Sequence, residues 1–414
     1  MPSLREANVA FVVPHYANTE EGSSVRSVAI ARKLAEHCKS LTIITPDLSE
    51  RALQKKGTLP THDGTIKLSY MRGLRDYRNS FARRLAHEAL MAIRCYKLIK
   101  QSKADLVIGS YPPAFTPLSA VIYGALSARR KVVLEVRDLM AGALQASGYA
   151  RSRWLIKLAH AYEALLIKKS DAVAIVSPGM TETVAQYTDP ARILSAYNGI
   201  EDTMLSFSFE DLDTDPALLS FYTQTGLTPG QPFVLYAGAL TQSYDLPTLI
   251  DGFDRAQLPD TKFVILGNGE KRQYYEAYVR EHGLEDRIVF HDFVDRISAL
   301  KIISKAQIAV HAFNESPHWG YVLGNKMFDY IAMGTPVLYA GIGTTAQLIV
   351  DSKAGAVAEP GNKDDVAVKL QALATGAAAY KANPLARSYV REHWRRSVHT
   401  DKFIAHLTDL MQPH

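Results

Sequence analysis

Residues 9–44 read VAFVVPHYANTEEGSSVRSVAIARKLAEHCKSLTII, and this stretch decides the class of fold. The apolar run Val9 to Val13 has the length of a buried strand. Gly22-Ser23-Ser24 is a flexible turn, Val25 to Cys38 follows helical periodicity, and Leu41 to Ile44 is a second strand. Strand, helix and strand in this order predict a βαβ opening.

The pattern repeats outward. Short apolar runs at Asp105 to Ile108, Lys131 to Val136 and Ala172 to Val176 alternate with helical stretches, which predicts a parallel sheet covered on both faces. Around Glu201 to Gln231 it breaks into acidic and turn-forming residues, among them Asp211-Leu212-Asp213-Thr214-Asp215-Pro216. A second series follows, with strands expected at Phe233 to Tyr236, Phe263 to Leu266, Ile288 to Phe290, Ile308 to His311 and Val337 to Tyr339. The expected architecture is α/β: two doubly wound, Rossmann-like domains with a ligand in the cleft between them. The first domain spans 1–205, a linker region 206–230, the second domain 231–385, and 386–414 packs back on the first domain as the end of one long helix from Pro384 to Met411.

Length and composition agree with two or three globular domains. The chain has 414 residues, 47% apolar and 21% charged, and a formal charge of +5 that requires no nucleic-acid partner. Cys38 and Cys95 are the only cysteines, so neither a disulfide framework nor a zinc cluster is expected, and the thirteen histidines lack metal-ligand spacing. No metal or other cofactor is predicted. The N-terminus lacks the apolar core of a signal peptide, and no apolar run approaches the roughly 20 residues of a membrane span. A cytoplasmic chain that can sit at a membrane without crossing it is the expectation.

Gly324-Asn325-Lys326-Met327-Phe328-Asp329-Tyr330-Ile331-Ala332-Met333-Gly334-Thr335-Pro336 reads as a short helix. Asn325 is the expected N-cap, and Gly334 and Pro336 stop it. At 100° per residue, Met327, Phe328, Ile331 and Ala332 share one face, with Lys326, Asp329, Tyr330 and Met333 opposite. A lysine in the first turn opposes the helix dipole unless an anion joins it, so a phosphate is expected there. Gly238 follows a predicted strand, in a turn where a phosphate can approach the backbone, and Gly267-Asn268-Gly269-Glu270-Lys271 is a second strand-to-helix turn.

Taken in order, Glu21-Gly22-Ser23-Ser24-Val25-Arg26, Ser110-Tyr111-Pro112-Pro113, Leu134-Glu135-Val136-Arg137-Asp138-Leu139, Ser177-Pro178-Gly179-Met180, Asn198-Gly199-Ile200, Tyr236-Ala237-Gly238, the Gly267 to Lys271 turn and Gly324 to Pro336 carry a family resemblance. The chain resembles family 4 glycosyltransferases of the GT-B fold over nearly its whole length. The branch it looks like transfers N-acetylated amino sugars, of fucosamine or quinovosamine type, in bacterial surface polysaccharide assembly.

The resemblance implies a nucleotide-diphosphate sugar donor, UDP-linked, used with retention of configuration and without a required metal. It implies donor contacts at Gly238, Gly267, Gly269, Lys271, Phe293, Val294, Lys326 and Asp329, with Lys326 as the cation on the diphosphate. Asp329 stands where the family has a ribose-binding glutamate, and Tyr321 replaces the other acid of the family's pair. Thr241-Gln242-Ser243-Tyr244-Asp245 lacks the basic residues usual after Gly238. The His291 to Val294 loop matches one that reads the base through its backbone. Arg137 and Asp138, ending a first-domain strand, are the acceptor-side catalytic candidates, and Gly22, Arg26 and Ser110 the acceptor-binding ones. A lipid-diphosphate or saccharide is the implied acceptor.

Arg72 to Lys100 holds eight Lys/Arg against two acids, interspersed with apolar residues, which suits anionic lipid headgroups as well as a solvated helix face. Asp211 to Asp215 contains a D-x-D spacing that binds metal in a different glycosyltransferase fold, but its place in the expected linker argues against that role. Two other readings stand beside the transferase: a UDP-sugar 2-epimerase of the same architecture, and a catalytically weak nucleotide-sugar-binding subunit.

Overall fold

The computed structural model describes residues 2–14, 16, 25–46, 66–74, 81–146, 152–205, 212–382 and 384–412. The chain divides into two compact units. One comprises Met1–Gly142, Ser152–Tyr197 and Arg396–His414, the other Ala143–Arg151 and Asn198–Arg395.

The first unit is built on seven parallel strands: β1 (Asn8–Val12), β2 (Ser40–Pro46), β3 (Ile66–Met71), β4 (Leu106–Tyr111), β5 (Lys131–Val136), β6 (Ala172–Ile175) and β7 (Ile193–Ser195). Their order is β3-β2-β1-β4-β5-β6-β7, with Phe11 in register with Ile43 on one side and Ile108 on the other. Every residue of β4 is buried, as expected of a strand covered on both faces. Helix Val25–His37 buries Val28, Ala31 and Leu34 on one stripe, and the terminal helix Arg396–Leu410 packs beside it with Phe403, Ile404 and Leu407. Each of the larger of these side chains contributes about 1.5–3 kcal/mol by leaving water.

The second unit has six parallel strands: β8 (Phe233–Ala237), β9 (Lys262–Leu266), β10 (Ile288–His291), β11 (Ile308–Ala312), β12 (Val337–Ala340) and β13 (Gly355–Ala358). Their order, β10-β9-β8-β11-β12-β13, reverses direction between β8 and β11. That reversal creates a switch point at the strands' C-terminal ends, where open α/β sheets bind ligands. Aspartates cap three of its helices: Asp215 before Pro216–Thr225, Asp245 before Leu246–Ala256 and Asp295 before Arg296–Lys305.

Several expectations are corrected. Residues 206–211 lie outside the described residues, but the rest of the expected linker is folded into the second unit. Leu218, Phe221 and Tyr222 of helix Pro216–Thr225 belong to its core, so the acidic and turn-rich composition reflects capping. The boundary between units falls after Tyr197, not after 205. The expected single terminal helix is two, Leu385–His393 in the second unit and Arg396–Leu410 in the first. Strands β3, β7 and β13 were not legible as apolar runs, because β3 is largely half-exposed, β7 has three residues and β13 is Gly-Ala-Val-Ala.

Candidate functional site

Four loops follow the C-terminal ends of β8, β9, β10 and β11, and backbone hydrogen bonds sew the first three together. Gly238 N–H donates to Leu266 O at 2.9 Å, Leu240 N–H to Asn268 O at 3.0 Å, Lys271 N–H to Leu240 O at 2.9 Å and Gly267 N–H to His291 O at 2.8 Å. This close approach explains the glycines. A Cβ on Gly267 would lie 1.8 Å from Gly238 O, and one on Gly269 would lie 2.3 Å from Leu240 O. The missing side chains of these two glycines admit the neighbouring loop. Arg272 fastens the same edge, donating to Gly267 O at 3.2 Å and pairing with Asp292.

Helix Asn325–Ala332 packs under this edge, but not as a two-faced surface helix. Tyr330, placed on the polar side by periodicity, is fully buried, and its hydroxyl accepts from Ala237 N–H at 3.1 Å. The N-cap is Gly324, not Asn325, which is the first helical residue. A second hydrogen bond, from Gly324 N–H to the buried Thr345 hydroxyl at 3.2 Å, steadies the helix start.

Lys326 projects from the first turn of that helix toward β8. Its Nζ is buried and makes no hydrogen bond. It lies 4.6 Å from the ring centre of Tyr244 and 5.1 Å from that of Tyr236, on faces that attract cations. His311 stacks on Tyr236 at 5.8 Å and meets Tyr244 edge-on at 5.1 Å. Burial lowers the lysine's pKa to about 8, against a partial restoring effect of Asp329. Burial, then the adjacent lysine charge, holds His311 well below the usual histidine range, so it is neutral beside the ammonium. The 241–245 segment brings no basic side chain of its own; Lys326 delivers a cation to it across the sheet's edge.

Asp329 is engaged as well. Arg296 Nη2 reaches Asp329 Oδ1 and Glu201 Oε1, each at 3.1 Å, bridging the helix to the segment that enters the second unit. Arg296 follows the expected base-reading loop, in which Phe293 is 61% exposed and Val294 packs on the core. Lys271 lies outside the aromatic cage, 5.4 Å from the ring centre of Tyr274. Tyr321 hydrogen-bonds the ring of His318.

In the first unit, Gly22 lies outside the described residues. Arg26 and Ser110 are brought together, but in the interior. Arg26 Nη1 pairs with Glu135 Oε1 at 2.8 Å, its Nη2 donates to Ala196 O at 2.7 Å, and the Ser110 hydroxyl donates to Glu135 Oε2. Ser110 and Glu135 are essentially inaccessible, and burial lowers the pKa of Arg26. The acceptor-contact expectation for Arg26 and Ser110 is thus corrected, since both are occupied in a buried network that braces the ends of β4 and β5. Above it, Arg137 N–H donates to Tyr111 O at 2.8 Å, and the half-buried Arg137 and Asp138 side chains follow β5 at the C-terminal edge. Asp138 lies among buried polar groups: Tyr111 donates to Glu163 at 2.9 Å, and burial raises the Glu163 pKa.

The residues missed in the sequence are Tyr236, Tyr244, His311, Arg296, Glu201 and Glu135. Glu135, an acid inside an otherwise apolar strand run, carried the one visible signal. Among the described residues, no group of three or more His, Cys, Asp or Glu is placed to hold a metal ion, and Asp215 of the D-x-D spacing caps its helix and pairs with Lys301.

Residues 21–203 match the family model described as Glycosyltransferase Family 4, and residues 222–383 match the one described as Glycosyl transferases group 1. An uncharacterized glycosyltransferase of Methanocaldococcus jannaschii is 26% identical over 51% of this chain and 53% of its own length. Glycogen synthase of Mycobacterium tuberculosis is 23% identical over 54% of this chain and 50% of its own length. The chain thus spans about half the length of these curated relatives. Among solved structures, Anabaena HepE in complex with UDP and glucose superposes with a TM-score of 0.71, at 14% identity, over 98% of this chain and 100% of that one. Sucrose-phosphate synthase from Thermosynechococcus elongatus superposes with a TM-score of 0.76, at 15% identity, over 97% and 98%. The fold is GT-B.

Proposed function

From a chain whose first half matches the family 4 model and whose second half matches that of glycosyl transferases group 1, we propose a glycosyltransferase that moves a sugar from a nucleotide-diphosphate donor to a lipid-linked or saccharide acceptor. The observation that carries this reading is the buried Lys326 ammonium, without a hydrogen-bond partner, at a helix N-terminus on the switch point of the second sheet. A buried cation without a compensating anion is costly, and a diphosphate supplies the missing charge. The UDP named with the Anabaena structure favours a UDP-sugar. Within that class, the motifs of the sequence favour an N-acetylated amino sugar.

In this reading the bond from the anomeric carbon to the diphosphate oxygen breaks as the acceptor oxygen attacks from the same face. The acceptor proton passes to the departing phosphate oxygen, and configuration is retained. Lys326 stabilises the charge that develops on the leaving group, so the step needs no metal. Asp138 orients the acceptor hydroxyl, and Arg137 holds a sugar or phosphate oxygen. Asp329 receives ribose hydroxyls while Arg296 keeps its carboxylate in place. Phe293 and Val294 border the base.

The test is UDP release from UDP-sugars by purified protein, with and without a lipid-diphosphate acceptor, beside UDP titration calorimetry. Release that depends on acceptor is expected. Acceptor-free interconversion of the sugar would instead identify an epimerase, and tight UDP binding without turnover a binding subunit.

A further inference from the structure

In the first unit, helix Arg153–Lys169 begins with two turns that are open to solvent on nearly every side. Trp154 is 82% exposed, Leu155 52% and Leu158 67%, with the exposed cations Arg153 and Lys157 between them. Lys157 Nζ lies 5.9 Å from the Trp154 ring centre, so charge and aromatic surface form one patch. Across helix Thr116–Ala125 lies helix Phe81–Ser102, whose first turns expose Arg83, Arg84 and Leu85. The two helices are tied through Tyr162, which donates to Ala114 O at 2.5 Å and feels the charge of Glu88.

We propose that this face, centred on Trp154, Leu155 and Leu158, docks on an anionic lipid bilayer. Exposed large apolar residues beside cations at a helix end have the composition of an interfacial membrane helix, with the indole and leucines entering the acyl boundary and the cations at headgroup phosphates. Charge selects this occupant over a second copy, because a two-fold contact would set Arg153 and Lys157 against their own images with no exposed acid in these turns to pair with. The earlier sequence signal, Arg72 to Lys100, contributes the flanking charge of Arg83 and Arg84, but the apolar anchor is on a different helix. Helix N-termini in this unit point to the C-terminal edge of the sheet, which carries Arg137 and Asp138, so a docked bilayer presents lipid-linked molecules on the side of those residues. No helix among the described residues is long and apolar enough to cross the bilayer.

The experiment is co-sedimentation of the full chain with phosphatidylcholine vesicles and with vesicles containing phosphatidylglycerol, at low and high salt. Binding to the anionic vesicles, weakened by salt, is expected. Leu155→Ser with Leu158→Ser should abolish it, and Arg153→Ala with Lys157→Ala should weaken it about 30-fold, both with an unchanged unfolding midpoint. Failure of the wild type to bind, undiminished binding by both variants, or a wild-type dimer that the leucine variant dissociates would overturn the proposal. UDP affinity, measured separately, reports on the donor site and does not enter this outcome.

Discussion

The ammonium of Lys326 occupies the space that a side chain at Gly238 would need: a Cβ built there would stand 1.8 Å from Nζ. The glycine after β8 and the lysine of the Asn325–Ala332 helix are 88 residues apart in the sequence, and they form one place, closed by the rings of Tyr236 and Tyr244. A lysine held against aromatic faces without a hydrogen bond is poised to exchange that weak contact for a stronger one with an anion.

UDP affinity should therefore follow the protonation of Lys326. Its pKa is about 8 in the folded protein, so calorimetric affinity should be level below that pH and fall by up to tenfold per unit above it. Lys326→Met should bind UDP more weakly by ten- to a hundredfold at pH 7, consistent with the loss of a charge-assisted contact of about 1.5–3 kcal/mol, and should lack this pH step. A wild-type profile flat from pH 7 to 9.5 would refute the assignment.

The same lysine should cost stability in the absence of ligand. Between about 8, its folded value, and 10.5, its ordinary one, the unfolded chain binds more protons, so stability attributable to this group rises with pH across that window. Below about pH 8 the penalty is present in full. Urea unfolding should find Lys326→Met more stable than wild type at pH 7, by on the order of 2 kcal/mol, with the difference closing toward pH 10.5.

Two neighbouring glycines should respond differently to alanine. At Gly238 the new methyl meets the far end of a flexible side chain, so Lys326 moves aside: stability changes by less than about 1 kcal/mol, while UDP affinity falls. At Gly267 it meets the Gly238 carbonyl at 1.8 Å, in a backbone with φ +152°, and the loop itself must shift. A loss of about 2–3 kcal/mol is expected there. Denaturant melts paired with UDP titration separate the two.

Arg296→Ala should remove the ion pairs to Asp329 and to the largely buried Glu201, reducing stability by about 2 kcal/mol and lowering UDP affinity. Arg296→Lys should restore part of the stability, since one ammonium reaches two carboxylates less well than a planar guanidinium. If Arg296→Ala lowers stability while leaving UDP affinity intact, the ion pair is a structural brace only.

Removing Arg26 should act on the first unit alone. Arg26→Met leaves Glu135 buried without its ion pair, a loss of about 3 kcal/mol, whereas the double variant Arg26→Met, Glu135→Gln should recover much of it. UDP affinity should be unchanged in both, which calorimetry checks.

Much of the fold was legible because a buried parallel strand is apolar along its length: the runs at 9–13, 131–136 and 308–311 needed no tertiary information to be read as strands. The helix at 325–332 was legible as a helix for the same local reason, but its surroundings were not. Periodicity assigned Tyr330 to the polar face, whereas the end of β8 covers it and Ala237 N–H donates to the tyrosine hydroxyl. Composition likewise suggested a linker where Asp215 caps a helix, since capping and connecting use the same polar residues.

What the sequence by itself determined is the alternation of strands and helices, the two-part organisation and the lysine at the start of the Asn325–Ala332 helix, all consequences of local periodicity and chain punctuation. Only the tertiary structure decided that Gly267 and Gly269 serve loop packing, that Arg26 and Ser110 are tied up by Glu135, and that Lys326 reaches Gly238 between two tyrosines. Those relationships join residues up to 109 positions apart, and the contacts that bring such partners together follow from strand order and burial, quantities that no local pattern encodes.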